Sequence, residues 1–111
     1  MPPSADSAVL ERLYALIASR KGGDVNASYT ARLFARGTSK LAQKVGEEAV
    51  EAVIAAAERQ PDRLIDESAD LLYHLLVLWA DAGVTPRQVF AELVRREGKS
   101  GVDEKKSRDK S

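Results

Sequence analysis

Five acidic residues in two short runs carry the chemical interest of this sequence. Glu47, Glu48 and Glu51 lie in KVGEEAVEAVIAAA, and Glu67 and Asp70 lie in DESADLLYHLLVLW. A helix turning by about 100° per residue gathers the first three into one stripe and the last two into another. Like charges at such spacing oppose helix formation, and the second pair opens into an apolar run built for burial. Unpaired carboxylates in such a place are costly, so a cation held between the two helices is the expectation. The chain has no cysteine, so no thiolate is available and the acids of these runs offer hard oxygen donors. A set of carboxylates without soft ligands suits Mg²⁺, with Mn²⁺ as the other fitting ion, and does not suit zinc. Such ions keep several waters and bridge phosphates.

Basic residues precede the acids. Lys44 and Lys40 continue the glutamate stripe toward the helix start, and Arg36 and Arg32 stand on the short segment before it. They fit two roles: neutralising the glutamates through helical pairs, or contacting phosphate oxygens around the ion. No Walker-type or dinucleotide glycine motif occurs, which excludes phosphate binding by a glycine-rich loop. His74 follows Asp70 by four residues on the same side of its helix, and is read as a core or supporting histidine ahead of a catalytic base. Tyr73 and Trp79 read as packing residues; Tyr29 reads as a core residue ahead of one that stacks on a base. The bland alternative for the acids is a solvated face on a glutamate-rich helix; the apolar character of the second run weighs against it.

Helices must position these groups. Apolar residues at helical spacing from Val9 to Ile17 predict an amphipathic helix over 8–20, with Asp6 or Ser7 as its cap. Gly22 or Gly23 takes the left-handed cap conformation. Ser28 caps a brief helix that Gly37 stops, and Thr38 or Ser39 caps the long helix that runs to about Arg59. On that helix Leu41, Val45, Ala49, Ala52, Val53 and Ala56 form a small-residue face suited to close packing. Gly46, a poor helix former, marks either such packing or a place where a ligand enters. Pro61 begins the next helix, which ends at Gly83. Thr85, Pro86 and Gln88 are the start signal of a last helix: threonine cap, proline at the first position, and glutamine to close a capping box.

No alternation of period two appears, so the fold class is all-α: an antiparallel helical bundle of four to five helices in a single domain over 1–97, followed by a disordered charged tail over 98–111. The run from Leu71 to Trp79 is apolar nearly all round, the pattern of a helix surrounded by partners. A chain of 111 residues can hardly surround it alone, which predicts completion by a symmetric homodimer. Seventeen basic and seventeen acidic residues cancel, giving no argument for nucleic-acid binding. The longest apolar run is about half the length a membrane span needs, and no signal peptide is read. A cytoplasmic protein with no membrane partner is the default expectation.

The order of residues is also familiar. Ser28-Tyr29-Thr30, Gly37-Thr38, KVGEEAVEAVIAA, ESADLLYHLLVL and the closing GVTPRQVFAELVRR together resemble the phosphoribosyl-ATP pyrophosphatases. The signature E-E-x-x-E followed by E-x-x-D marks the wider group of all-α nucleoside triphosphate pyrophosphatases, which includes MazG-type enzymes and dimeric dUTPases; the flanking segments point to the histidine-pathway member. The resemblance implies Mg²⁺-dependent hydrolysis of phosphoribosyl-ATP, a small nucleotide substrate, to phosphoribosyl-AMP and pyrophosphate by a dimer that shares helices. With nothing before Ser28 to hold a fused cyclohydrolase, the chain is expected to act alone. On this reading Glu48, Glu51, Glu67 and Asp70 hold the metal, Glu47 orients or deprotonates the attacking water, and Lys44, Lys40 and Arg36 bind phosphate. Spacing leaves open which of Glu47, Glu48 and Glu51 is base and which is ligand. A house-cleaning nucleoside triphosphate pyrophosphatase and a non-catalytic helical dimerisation module are the competing readings.

Overall fold

The computed structural model describes residues 5–98, which contain five α-helices and no strand. The tail expected over 98–111 lies, from residue 99 onward, outside the described residues.

Helix α1 (Ala8–Ser19) begins where Asp6 Oδ1 accepts the Ala8 amide at 3.0 Å, while the Ser7 side chain makes no capping bond. Gly22, at φ 77°, takes the left-handed turn that follows. Ser28 caps α2 (Tyr29–Arg36) by accepting the Ala31 amide at 3.1 Å. Gly37, at φ 90°, both ends α2 and stands as the N-cap of α3 (Thr38–Ala57). This corrects the expected Thr38 or Ser39 cap: with a single residue between the helices, both already belong to α3. The Thr38 hydroxyl instead donates to Asp81 Oδ2 at 2.6 Å, tying the start of α3 to the end of α4. Helix α4 (Pro61–Ala82) takes Pro61 as its first residue and stops at Gly83, left-handed at φ 75°. Helix α5 (Pro86–Arg96) opens on a complete capping box, with Thr85 Oγ1 accepting the Gln88 amide and Gln88 Oε1 accepting the Thr85 amide.

Helices α3 and α4 pack into the hairpin that dominates the tertiary contacts; α1 lies along α4, α2 bridges α3 and α4, and α5 rests on α1. The core gathers Ile17, Leu33, Phe34, Leu41, Leu76, Val77 and Ala80, one layer from each of the first four helices. Burying a leucine or isoleucine of this kind contributes roughly 1.5–3 kcal/mol. The Tyr14 hydroxyl donates to the Val84 carbonyl at 2.8 Å, fastening α1 to the α4–α5 turn. Among the described residues no helix is long and apolar enough to cross a membrane.

The buried face of helix α3 is turned from its expected apolar face toward Glu48. The residues it buries are Leu41, Glu48 and Ala55, spaced by seven and directed at α4. Of the expected packing face only Leu41 is buried, and Val53 is 66% exposed. Val50, Ile54, Ile65 and Leu72 are exposed with it, so the hairpin buries Glu48 from its acidic edge and leaves an apolar flank outside.

Candidate metal centre

The three carboxylates that meet across the hairpin are Glu48, Glu67 and Asp70, whose oxygens come within 4.8 Å of one another. Helix ends explain the meeting. Because α3 stops at Ala57 and α4 starts at Pro61, Glu48 and Asp70 each lie nine residues from the end of their own helix at the turn. At about 1.5 Å rise per residue that sets them at one level. Glu67 lies one turn of α4 from Asp70, toward the hairpin turn.

The electrostatics bear the mark of crowding. Partial burial, and after it the charges of Glu51, Glu48 and Asp70, raise the Glu67 carboxyl above its ordinary pKa, with Arg63 opposing. Lys44 Nζ stands 3.2 Å from Glu48 Oε1, one helical turn away. That hydrogen bond is the main reason the Lys44 pKa is raised; desolvation opposes it, and the charges of Glu48, Tyr29 and Glu47 add to it. A lysine with one ammonium cannot neutralise three carboxylates. Hard oxygen donors, a buried member and residual negative charge together fit a small divalent cation.

The glutamates that the sequence places in one stripe separate into three settings. Glu48 joins Glu67 and Asp70. Glu51 stands outside that triad, its Oε2 receiving a bond from Arg63 Nη2 at 3.0 Å. Glu47 is exposed, and its Oε1 accepts from Gln43 Nε2 at 3.0 Å. Glu47 also lines a cleft of about 540 Å³ together with Arg36, Lys40, Gln43, Lys44, Leu33 and Leu41. The three basic residues expected at phosphate thus share one cleft with Glu47, beside the triad and joined to it through Lys44.

Some features of this region are not read from the sequence. Arg63 contacts Glu51 across the hairpin turn, and its partner Glu58 lies seven residues beyond Glu51, a spacing that hints at a shared face. Gln43 precedes Glu47 by four residues, a visible helical pair. His74 is buried, as the core reading has it, and forms the centre of a chain of hydrogen bonds: Nδ1 lies 2.7 Å from the Asp70 carbonyl oxygen and Nε2 lies 3.1 Å from the Tyr29 hydroxyl. The carbonyl only accepts, so Nδ1 carries the proton and Nε2 accepts from Tyr29. Tyr29 itself is 44% exposed, which corrects its assignment to the core. Tyr73 packs edge-on to His74, and its hydroxyl bonds Thr30.

Fold and cluster together define a class: an all-α protein whose central hairpin presents a carboxylate triad suited to a hard divalent cation, next to a cleft lined by basic residues. Comparison with known proteins narrows it. The sequence pattern of the family described as phosphoribosyl-ATP pyrophosphohydrolase matches residues 10–97, and the chain belongs to that family. It is 67% identical over 105 residues to the phosphoribosyl-ATP pyrophosphatase of Paramagnetospirillum magneticum, covering 95% of this chain and 96% of the relative. The protein of the same name from Azospirillum brasilense is 60% identical over 102 residues, covering 92% of each. That from Rhodospirillum rubrum is 55% identical over 109 residues, covering 98% of this chain and 92% of its own.

Proposed function

We propose that this chain hydrolyses phosphoribosyl-ATP to phosphoribosyl-AMP and pyrophosphate, the second step of histidine biosynthesis, in the cytoplasm. One observation carries the reading: in a chain of this family, Glu48, Glu67 and Asp70 converge within 4.8 Å beside a cleft lined by Arg36, Lys40 and Lys44.

On this reading Glu48, Glu67 and Asp70 hold Mg²⁺, or Mn²⁺ in its place, with Glu51 as a fourth ligand. When bound, the ion offsets charge on the departing pyrophosphate and makes a nearby water more acidic. Lys44 stands where triad and cleft meet and binds a phosphate oxygen, offsetting charge that grows in the transition state. Lys40 and Arg36 extend the positive lining and hold the rest of the phosphate chain. Glu47, steadied by Gln43, orients the attacking water and takes its proton. The water oxygen bonds to phosphorus as pyrophosphate leaves on the opposite side, with no covalent link to the protein.

The test measures pyrophosphate release with Mg²⁺ from phosphoribosyl-ATP, dUTP, dCTP and ATP. Selective turnover of phosphoribosyl-ATP is the expected result. Preference for dUTP or dCTP would move the chain to the house-cleaning class, and no release from any nucleotide would leave a non-catalytic helical module. Glu51→Gln and Asp70→Asn should stay helical by circular dichroism and lose about 100-fold or more in turnover.

We also propose that the active form is a homodimer. Val50, Val53 and Ile54 of α3 and Ile65 and Leu72 of α4 are exposed on the same hairpin that carries the triad. An apolar flank of this kind calls for a partner, and a second copy supplies the same flank across a two-fold axis.

A further inference from the structure

Arg63 bonds a carboxylate of the acidic motif from the facing helix, and its geometry has a consequence for ion binding. Its guanidinium reaches from α4 to α3 and divides between two glutamates seven residues apart: Nη2 to Glu51 Oε2 and Nη1 to Glu58 Oε1, both at 3.0 Å. Glu51 remains close enough to the triad for its charge to act on Glu67, yet its oxygens are not among those that meet within 4.8 Å. We infer that Arg63 is a positioning residue that holds Glu51 aside as a reserve ligand, so that uptake of the divalent ion proceeds by exchange of Glu51 from Arg63 to the ion. The inference rests on the reading of the triad as a metal centre.

The strength of the contact suits an exchange. Both partners are partly exposed, with 35% of the Arg63 side chain and 47% of the Glu51 side chain accessible. Ion pairs in that setting shift an equilibrium by no more than about five-fold. A pair so weak holds Glu51 apart from three carboxylates that repel a fourth, and yields once a divalent charge arrives. Glu58 gives Arg63 a second anchor at the C-terminal cap of α3. After Glu51 departs, the guanidinium stays fastened there and its charge is kept from following Glu51 toward the ion.

The experiment is a double-mutant cycle in the full chain, read by Mn²⁺ uptake in electron paramagnetic resonance titrations without nucleotide. Arg63→Gln should tighten uptake by about three- to five-fold. In the Glu51→Gln background the same substitution should leave uptake unchanged, because no reserve ligand remains to be freed. Equal tightening in both backgrounds would overturn the inference and leave only long-range repulsion between Arg63 and the ion. Unchanged or weaker uptake in Arg63→Gln alone would overturn it as well. Arg63→Lys keeps the charge but cannot grip both glutamates, and should tighten uptake in the same direction; a wild-type affinity there would count against exchange. Absence of saturable uptake by the wild type is a different failure: it removes the metal centre itself, and the reserve ligand with it.

Discussion

Glu67 carries the repulsion among the carboxylates of the triad. Its folded pKa is raised, first by partial burial and then by Glu51, Glu48 and Asp70. A carboxyl that holds its proton more tightly in the folded state stabilises the fold below its unfolded pKa and loses that contribution as pH rises through the folded value. In the ion-free protein the Glu67 contribution should therefore fall on going from about pH 4 to pH 7. Thermal melts of the wild type and Glu67→Gln across that range should converge at the acidic end and part at the neutral one, with the variant the more stable there. Mg²⁺ should raise the wild-type melting temperature at neutral pH and have little effect on Glu67→Gln. At this scale the two acidic runs were readable from helical spacing and an adjoining apolar run, but spacing did not tell which glutamate of α3 meets Glu67 and Asp70. The parting of Glu51 from them was not readable, since it depends on Arg63, whose contact crosses a turn and is hinted at only by the seven-residue spacing of Glu51 and Glu58. The direction of the Tyr29–His74 bond was likewise hidden, because it is set by which nitrogen faces the Asp70 carbonyl.

Helix ends obey local chemistry, and helix faces obey the neighbours. Ser28, Pro61, Gly83 and the Thr85–Gln88 box all act at the positions their residue types dictate. Replacing Thr85 by alanine removes the oxygen that satisfies the Gln88 amide, and should destabilise the protein by about 1 kcal/mol in urea titrations. The Thr38 or Ser39 cap failed for a reason of length alone, since Gly37 serves two helices at once. At Gly46 the close-packing expectation fails, while room for a ligand is kept. A methyl group there meets nothing within 4 Å, so no helix among the described residues packs closely against it. Gly46→Ala should stabilise α3 by up to about 1 kcal/mol in the isolated protein. A loss of turnover in that stabilised variant would mark Gly46 as a point where substrate or a second copy comes close to the backbone. The burial of Glu48 in place of Val53 is the feature periodicity misassigns: apolar patterning tells which side of α3 seeks cover, and says nothing of whether this chain or another provides it.

For the molecule as a whole, the all-α class and the helix count were legible from the caps and the absence of alternation. What patterning left open was how an acidic edge and an apolar flank on one hairpin divide between inside and outside. If the flank of Val50, Val53 and Ile54 meets its own copy, every substitution enters the interface twice. Val53→Glu should then weaken self-association by about 100-fold or more, seen as a shift from dimer to monomer in sedimentation velocity, while the helical content is kept. The turn between Ala57 and Pro61 has a last consequence. It works as a gauge: one residue added to the end of α3 would displace Glu48 along the axis by about 1.5 Å and swing it by about 100° relative to the turn, taking it out of reach of Asp70. Insertions between α1 and α2 leave that alignment untouched. Tolerance to changes in length should accordingly be wide before Ser28 and vanish within the few residues that join the two long helices.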